Sequence, residues 1–249
     1  MLTTRTTDRK RKRRNPVNLN GPERVYRTHL RKIAKHVEDL FDGFQLGDLE
    51  AIPTIEHLLR RYAEALTPWA EATAARMLED LNRRDEQAWM QQAQEMSRAL
   101  RDELRRAPTG ETMRALMAEQ VTLIKSIPLE AAERVHRLTI EALEDSTRAA
   151  EISKEIQRSG EVAKSRADLI ARTEVARTAS ALTEARALHV GSTHYVWHTS
   201  GDSDVRDSHR RMDGKVVAWN DPPTLDGMTG HAGQFPNCRC WCDPIISED

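Results

Sequence analysis

Apolar residues recur at alternating steps of four and three along most of this 249-residue chain. An α-helix has 3.6 residues per turn, so this spacing places the apolar side chains on one helical face. The first such stripe consists of Tyr26, Leu30, Ile33, Val37 and Leu40. The pattern predicts that residues 22–188 are predominantly helical.

Prolines and glycines divide this span into separate helices. Gly43 and Gly47 end the first helix, and Pro68 occupies a first-turn position of the third. Ile127-Pro128 is predicted to separate two helices, because a proline interrupts the helical hydrogen bonding. The predicted helices run from residue 22 to the first of these glycines, from Pro53 to residue 66, and over 68–106, 112–126, 129–147, 149–157 and 162–188.

The hydrophobic period changes at Gly191, where alternation replaces the helical spacing. Alternating apolar and polar residues are typical of short strands. The predicted strands are residues 193–199, 215–219 and 241–246. Tyr195 and Trp197 alternate with their neighbours on the first strand, which is usual for core residues. Residues 222–233 are rich in glycine and proline and are predicted to form a loop.

These elements predict a mainly α protein, with an elongated helical body followed by a small α+β C-terminal domain of short strands. Residues 1–21 are basic and lack periodicity, so they are predicted to be a disordered arm. Residues 22–110 form an N-terminal helical region. Residues 111–249 form the second region, in which helices over 112–188 lead into a compact α+β module at 192–247.

Composition supports a helical protein with thin apolar seams: aromatic residues are 4% and charged residues 31% of the chain. No run approaches the roughly 18 consecutive apolar residues of a membrane helix. The formal net charge is −1, but the arm is strongly basic. Its cations include Arg5, Lys10, Arg11, Lys12, Arg13 and Arg14. Such a segment can bind nucleic-acid phosphates without reading sequence.

The three cysteines, Cys238, Cys240 and Cys242, are too few and too close together for a disulfide framework and indicate a reducing compartment. Two interpretations of these thiols stay open. Thiolates and imidazoles are ligands of structural zinc, so Cys238 and Cys240 could hold zinc with His209 and His231. We favour buried, reduced thiols that pack as small hydrophobes.

The spacing of the cysteines bears on the choice between these interpretations. Residues two apart on a strand share a face with their side chains about 7 Å apart, which is too far for one zinc ion. A turn at Pro236-Asn237 would bring Cys238 and Cys240 closer together. Zinc fingers and ribbons, by contrast, have two residues between paired cysteines.

His209 also has two interpretations. With Asp202 and Asp204 it could form a hydrolytic or metal-dependent centre. The other interpretation is a structural role. Asp213-Gly214 is predicted to form a tight turn, because glycine tolerates positive φ. Asp202 and Arg206 are four residues apart and are expected to form a charge pair that orders their loop.

Several unrelated short motifs occur in a fixed order toward the C-terminus. They are Ile170-Ala-Arg-Thr-Glu174, Tyr195, Trp197, Thr199-Ser-Gly-Asp202, Val205, Arg206, His209, Asp213-Gly214, Asn237-Cys-Arg-Cys240 and Pro244. In order and spacing this set resembles the C-terminal domain of phage Mu F-type minor head proteins, a head-morphogenesis family of tailed phages. The resemblance is specific over residues 165–246 and looser over 110–164. The chain departs from the family's pattern at His231-Ala-Gly-Gln234 and in having Cys242.

The resemblance implies a minor capsid or head-morphogenesis protein of a phage or prophage, located in the virion head near the portal and in the host cytoplasm during assembly. It implies the portal protein as a partner, with the major capsid or scaffolding protein as further partners. Low copy number would follow from the size of the portal ring. The basic arm would contact DNA non-specifically, and no membrane partner is implied.

The resemblance also implies that certain polar residues hold the fold together rather than react. This structural network consists of Asp202, Arg206, His209, Asp213, Gly214, Asn237 and Arg239. We therefore expect no catalytic residues and no cofactor other than the zinc considered above. The alternative is an Asp/His-based metal-dependent nuclease or effector-type enzyme. The sequence contains no nucleophile elbow, phosphate-binding glycine loop or HExxH motif.

Overall fold

The structure is a computed structural model that describes residues 15–42, 52–93, 98–144 and 149–246. The basic residues at positions 5–14, predicted to contact DNA, lie outside this described part. The prediction of a mainly α protein with a small C-terminal region of short strands is confirmed. No helix among the described residues has the length and apolar character needed to span a membrane.

Seven helices precede the first strand in the described part of the chain. They are α1 (Asn20–Asp42), α2 (Ile52–Ala65), α3 (Thr67–Gln92), α4 (Arg98–Arg106), α5 (Thr109–Glu144), α6 (Ala149–Gln157) and α7 (Ser159–His189). The stripe predicted on α1 is confirmed, because Tyr26, Leu30, Ile33 and Val37 are buried and Leu40 is half-buried. The span predicted as one helix from Pro68 to Arg106 is described as α3 and α4, with residues 94–97 outside the described part.

The predicted break at Ile127-Pro128 is wrong, because α5 runs through Pro128 without ending. Proline removes one helical hydrogen bond and crowds the preceding turn. Here Ile124 and Ile127 are buried on the same side of the helix. Burial of these large side chains offsets the local cost, so tertiary packing overrides the proline signal.

The predicted start of the last helix is also wrong by three residues: α7 begins at Ser159 and includes Gly160. Gly160 lies against α1, where a Cβ added at this position would come 2.8 Å from Cβ of Glu38. Glycine is therefore needed here for close approach of two helices, not to end a helix.

The chain divides into two compact units, each made of separate segments. The helical unit comprises residues 23–76 and 117–171, and the mixed unit comprises the described residues within 1–22, 77–116 and 172–249. Both units combine segments from either side of residue 110, the domain boundary expected from the sequence. That boundary stays a prediction.

The helical unit buries an aliphatic core and carries its charges at the surface. Its deeply buried side chains include Leu30, Ile33, Leu59, Ile124, Ile127 and Val135. Tyr26 is buried among them, and its hydroxyl donates to Oε1 of Gln120 at 2.8 Å. This pattern follows from the amphipathic stripes, because each apolar face must be covered by another helix.

The strands of the mixed unit form two small antiparallel sheets. The first sheet has the order β2 (Val216–Ala218), β1 (His194–His198), β5 (Trp241–Ile245), so the three predicted strands are confirmed. A four-residue helix, α8 (Asp207–Arg210), lies between β1 and β2 in sequence. The second sheet pairs β3 (Thr224–Leu225) with β4 (Met228–Thr229).

The β3–β4 hairpin corrects the predicted loop at residues 222–233. Asp226 and Gly227, between the two strands, have φ values of 52° and 78°. Positive φ at both central residues is typical of a type I′ turn, for which Asp-Gly is a favoured dipeptide. The sequence therefore contained a hairpin signal that the glycine and proline content obscured.

The core of the mixed unit is aromatic. Tyr195 and Trp197 are fully buried, which confirms their predicted place in the core. The cluster around them also contains Trp89 of α3 and Leu104 of α4. The strands are thus covered by helices that precede them by about 90 residues or more in the sequence.

Candidate functional site

Three turns of the backbone serve as fixed points of the site, because hydrogen bonds hold each of them in place. The first is the end of α7. Gly191 has a φ of 80°, and the Ser192 N–H donates to the Ala187 carbonyl at 2.9 Å. A glycine in the left-handed region followed by this backward hydrogen bond is the Schellman arrangement of helix C-termini. It ends the helix and directs the chain into β1.

The second fixed point is the Asp213-Gly214 turn, which is confirmed. Oδ1 of Asp213 accepts from the Thr199 backbone N–H at 2.8 Å and from its hydroxyl at 3.1 Å. Gly214 has a φ of 78°, and its N–H donates to the Trp197 carbonyl at 2.8 Å. These bonds tie the end of β1 to the segment after α8 and so hold His209 of α8 in place.

The third fixed point is the turn at Pro236-Asn237, which the sequence allowed and the structure contains. Asn237 has a φ of 55°, and the Cys238 N–H donates to the Phe235 carbonyl at 3.0 Å. The Asn237 N–H donates to the hydroxyl of Thr173 on α7 at 3.0 Å. Asparagine tolerates this left-handed conformation better than most residues.

Together the second and third fixed points bring His209, Cys238 and Cys240 to one place. Nδ1 of His209 lies 3.4 Å from Sγ of Cys238 and 3.5 Å from Sγ of Cys240. All three residues are buried, and their potential ligand atoms lie within 4.8 Å of one another. Among the described residues this is the one group of three or more that could hold a metal ion.

The two thiols of this cluster are not equivalent. The pKa of Cys238 is lowered, first because its thiolate accepts a hydrogen bond from the Cys240 thiol and then through His209 and the Cys240 backbone N–H. The pKa of Cys240 is raised, first by its hydrogen bond to Cys238 and then by burial. These opposite shifts favour ionisation of Cys238 before Cys240. Nε2 of His209 is buried without a hydrogen-bond partner in the described structure.

His231 and Cys242 lie apart from this cluster. Nδ1 of His231 is 3.2 Å from the Tyr195 hydroxyl, and its Nε2 is 3.8 Å from a Glu184 oxygen. Sγ of Cys242 is 3.6 Å from the Ala232 carbonyl oxygen, and burial raises its pKa. Of the four residues predicted as zinc ligands, the structure thus brings together His209, Cys238 and Cys240 and places His231 elsewhere.

The expected Asp202–Arg206 pair has other partners. Arg239 contacts Asp202 at 3.0 Å and Asp204 at 3.3 Å, while Arg206 donates to the Pro236 carbonyl at 2.8 Å. The reason is the turn at Pro236-Asn237, which brings this segment beside the acidic loop. Sequence spacing alone suggested the local pair.

The geometry does not assemble the alternative Asp/His centre in the described residues. Asp202 and Asp204 face Arg239, whereas Nδ1 of His209 faces two thiols. The His209 ring also packs edge-to-face against Trp197 and Phe235. A hydrolytic site would need these carboxylates and the imidazole to converge on one accessible position.

A second buried polar cluster was not identified from the sequence. Asp85 of α3 forms an ion pair with Arg186 of α7, and the Thr183 hydroxyl donates to Asp85 at 2.6 Å. Arg186 also donates to Oδ1 of Asn82 at 2.8 Å. Burial raises the pKa of Asp85 to about 6, although Arg186 opposes this shift. The partners are about a hundred positions apart, so no local pattern marks them.

The fold and site define a class of protein: an α+β module closed by buried histidine and cysteine side chains and joined to long helices. Residues 133–242 match the family described as "Phage Mu protein F like protein". The resemblance inferred from the motifs is therefore confirmed: residues 133–242 are similar to Mu protein F like proteins.

One curated relative is a Haemophilus influenzae protein that carries the name "Uncharacterized protein". It is 33% identical over 147 residues, which are 59% of this chain and 32% of the relative. The match thus spans about a third of the relative's length. No solved structure is significantly similar to the chain.

Proposed function

We propose that this protein is a minor capsid and head-morphogenesis protein of a phage or prophage, which associates with the portal protein and the inner face of the head during assembly. The observation that carries the proposal is the Mu F-like match over residues 133–242. Several motif residues behind that match are also the turn positions that shape the module, such as Asp213, Gly214 and Asn237.

The geometry of the residues in the family motifs supports binding and assembly better than catalysis. His209, Cys238 and Cys240 are at most 5% exposed, so a substrate has little access to them. Asp202 and Asp204 are engaged by Arg239. Under this proposal the motif residues maintain a rigid module, and its surface, together with that of the helices, contacts other head proteins.

The portal is the proposed main partner, with the major capsid or scaffolding protein as secondary ones. A portal ring of fixed size offers few equivalent sites, so the protein would be present in few copies per virion. Its location would be the virion head near the portal, and the host cytoplasm before assembly.

The basic arm is proposed to contact packaged DNA. The seven lysines and arginines within residues 5–14 would neutralise phosphates and release counterions, so affinity would fall steeply with salt. Replacing these seven residues by glutamine should weaken binding to duplex DNA equally for all sequences and flatten the dependence on salt. Unchanged DNA affinity in that variant would remove the arm from the proposal.

The main test is co-purification of the tagged full-length chain with the portal protein of the same phage. Purified virions should contain the protein at a fixed low stoichiometry by quantitative mass spectrometry. Heads assembled without the protein should be defective in packaging or delivering DNA. Absence from virions, together with normal heads in its absence, would show that the proposal is wrong.

The alternative enzyme proposal has its own discriminating test. Purified protein is incubated with plasmid DNA and Mg²⁺ or Mn²⁺, with an Asp202→Asn/Asp204→Asn variant in parallel. We expect no cleavage attributable to the chain. Cleavage by the wild-type chain that disappears in the variant would favour the Asp/His nuclease instead.

A further inference from the structure

The geometry points to a structural zinc site formed by Nδ1 of His209 and Sγ of Cys238 and Cys240, which ties α8 to the segment after the Asn237 turn. This site is independent of the proposed role in the phage head. It narrows the candidates suggested by sequence from four residues to three, because His231 contacts Tyr195 and Glu184 instead.

The distances within the cluster fit a tetrahedral zinc ion. Zinc binds sulfur at about 2.3 Å and nitrogen at about 2.0–2.1 Å, so neighbouring N and S ligands in a tetrahedron lie about 3.5 Å apart. The two N···S distances are 3.4 and 3.5 Å. The two sulfurs lie within 4.8 Å of each other, against about 3.8 Å expected across such a site.

The surroundings of His209 also favour a metal. The imidazole is 2% exposed, and its polar contacts in the described structure are the two thiols. Thiols are weak hydrogen-bond partners, so they compensate poorly for removing an imidazole from water. A bond from Nδ1 to zinc would provide that compensation.

The ligand types select among metals. Two thiolates and one imidazole are soft donors that suit zinc and disfavour magnesium and calcium, which prefer oxygen. On binding, zinc forms bonds to both sulfurs and to Nδ1, and the protons carried by the cysteine thiols leave to solvent. No electron transfer is involved. These three residues supply three of the four ligands of a tetrahedral site.

The position of the site in the chain explains why a bound metal ion would stabilise the module. Cys238 and Cys240 lie about 30 residues after His209, and the elements between them are strands of two or three residues. Short strands contribute few hydrogen bonds, and small modules with limited cores commonly gain stability from a structural metal. One ion at this point would join α8 directly to the chain entering β5.

The test uses the full-length chain, purified without chelators from cells grown with zinc. Elemental analysis should find about one zinc per chain. X-ray absorption should show two sulfur ligands near 2.3 Å and nitrogen near 2.0–2.1 Å. Cys238→Ser and Cys240→Ser should lose the metal, whereas the matched controls Cys242→Ser and His231→Gln should retain it.

A second measurement covers variants that fold poorly. Cobalt added to the metal-free wild-type chain should give the sulfur-to-metal charge-transfer absorption of a thiolate site, and zinc should displace it. His209→Cys should retain metal because it supplies another zinc ligand, while His209→Ala should lose it. A wild-type chain without zinc or cobalt absorption, or equal metal loss in Cys242→Ser, would overturn the assignment.

Discussion

The helical unit and the mixed unit differ in where they keep their charges. Among the described residues, the buried acidic, basic and histidine side chains all lie in the mixed unit; they are Asp85, Glu174, Arg186, His209 and His231. The helical unit pairs its charges at the surface, as in Arg31–Asp168 and Arg134–Glu155. Its interior is mainly aliphatic.

This difference shows two ways of specifying a fold. An aliphatic core tolerates many combinations of apolar side chains. The hydrophobic pattern and the total side-chain volume therefore largely determine how such a core packs. Buried charged and polar groups are costly unless each finds its partner. The mixed unit therefore depends on particular pairs, such as Asp85–Arg186 and Asp213–Thr199. Single substitutions should distinguish the two units.

The largest effect is expected at Trp89, which lies outside the matched family range but inside the core of the mixed unit. Trp89→Ala should lower the free energy of unfolding by about 3–5 kcal/mol, because a nearly fully buried tryptophan leaves a large cavity. Chemical denaturation followed by circular dichroism measures this loss.

The matched control is Trp69→Ala in the helical unit, where the tryptophan is half-buried and contacts His29 edge-to-face. It should cost less, on the order of 1–2 kcal/mol, because less apolar area is lost. Equal losses at the two positions would contradict the deeper burial of Trp89 in the core of the mixed unit.

The next effect concerns pH and Asp85. Burial raises the pKa of Asp85 in the folded state to about 6, above its ordinary value of 3.8. The folded state therefore binds the proton more tightly, and this group's contribution to stability falls as pH rises from about 4 to about 6. Two pKa units correspond to roughly 3 kcal/mol. Asp85→Asn should remove this part of the pH dependence.

The measurement for Asp85 is the free energy of unfolding of wild type and variant between pH 4 and pH 7. Asp80→Asn is the control, since Asp80 lies on the same helix in partly exposed pairs with Arg83 and Arg84. The control should keep the wild-type slope. The same slope in all three proteins would indicate that Asp85 is not desolvated in the folded state.

The sequence predicted the elements of the helical unit because their signal is local. The stripe from Tyr26 to Val37 is a property of neighbouring turns, and it is buried as expected. Errors occurred where a distant contact decides a local conformation. Pro128 stays within α5, with Ile124 and Ile127 beside it in the core, and Gly160 stays within α7 because Glu38 lies against it.

For the candidate site, the sequence analysis named four possible metal ligands, and the structure brings three of them together. Separating His209 from His231 required the fold, since both are near the cysteines in sequence. The turn at Asn237 was predictable from Pro236-Asn237, whereas its bond to Thr173 was not. Asp85–Arg186 carried no signal because its partners belong to helices about a hundred residues apart.

A smaller effect is expected from a glycine in the helical unit. Gly160→Ala should cost on the order of 1–3 kcal/mol, because the new Cβ would lie 2.8 Å from Cβ of Glu38 and 3.1 Å from its Cα.

Gly110→Ala is the matched control: Arg114 Nη1 is the nearest atom, at 3.9 Å. The control should stabilise by roughly 0.4–1 kcal/mol through the unfolded state. Thermal denaturation of both variants should give opposite signs, and a neutral Gly160→Ala would show that the two helices can separate freely.

The smallest effect is expected for the Arg31–Asp168 pair on the surface of the helical unit. Both side chains are more than a third exposed, and they form two hydrogen bonds of 2.7 Å. The hydrogen bond from Arg31 lowers the pKa of Asp168. The stability that this pair contributes is therefore present near neutral pH and is lost as pH falls through the folded-state pKa.

Solvent and salt screen such a pair, so Asp168→Asn should cost less than about 1 kcal/mol, and less still in high salt. Denaturation at neutral pH in low and high salt measures both quantities. A loss comparable to that at Trp89 would place this ion pair among the specifying contacts of the fold, and the contrast between the two units would then fail.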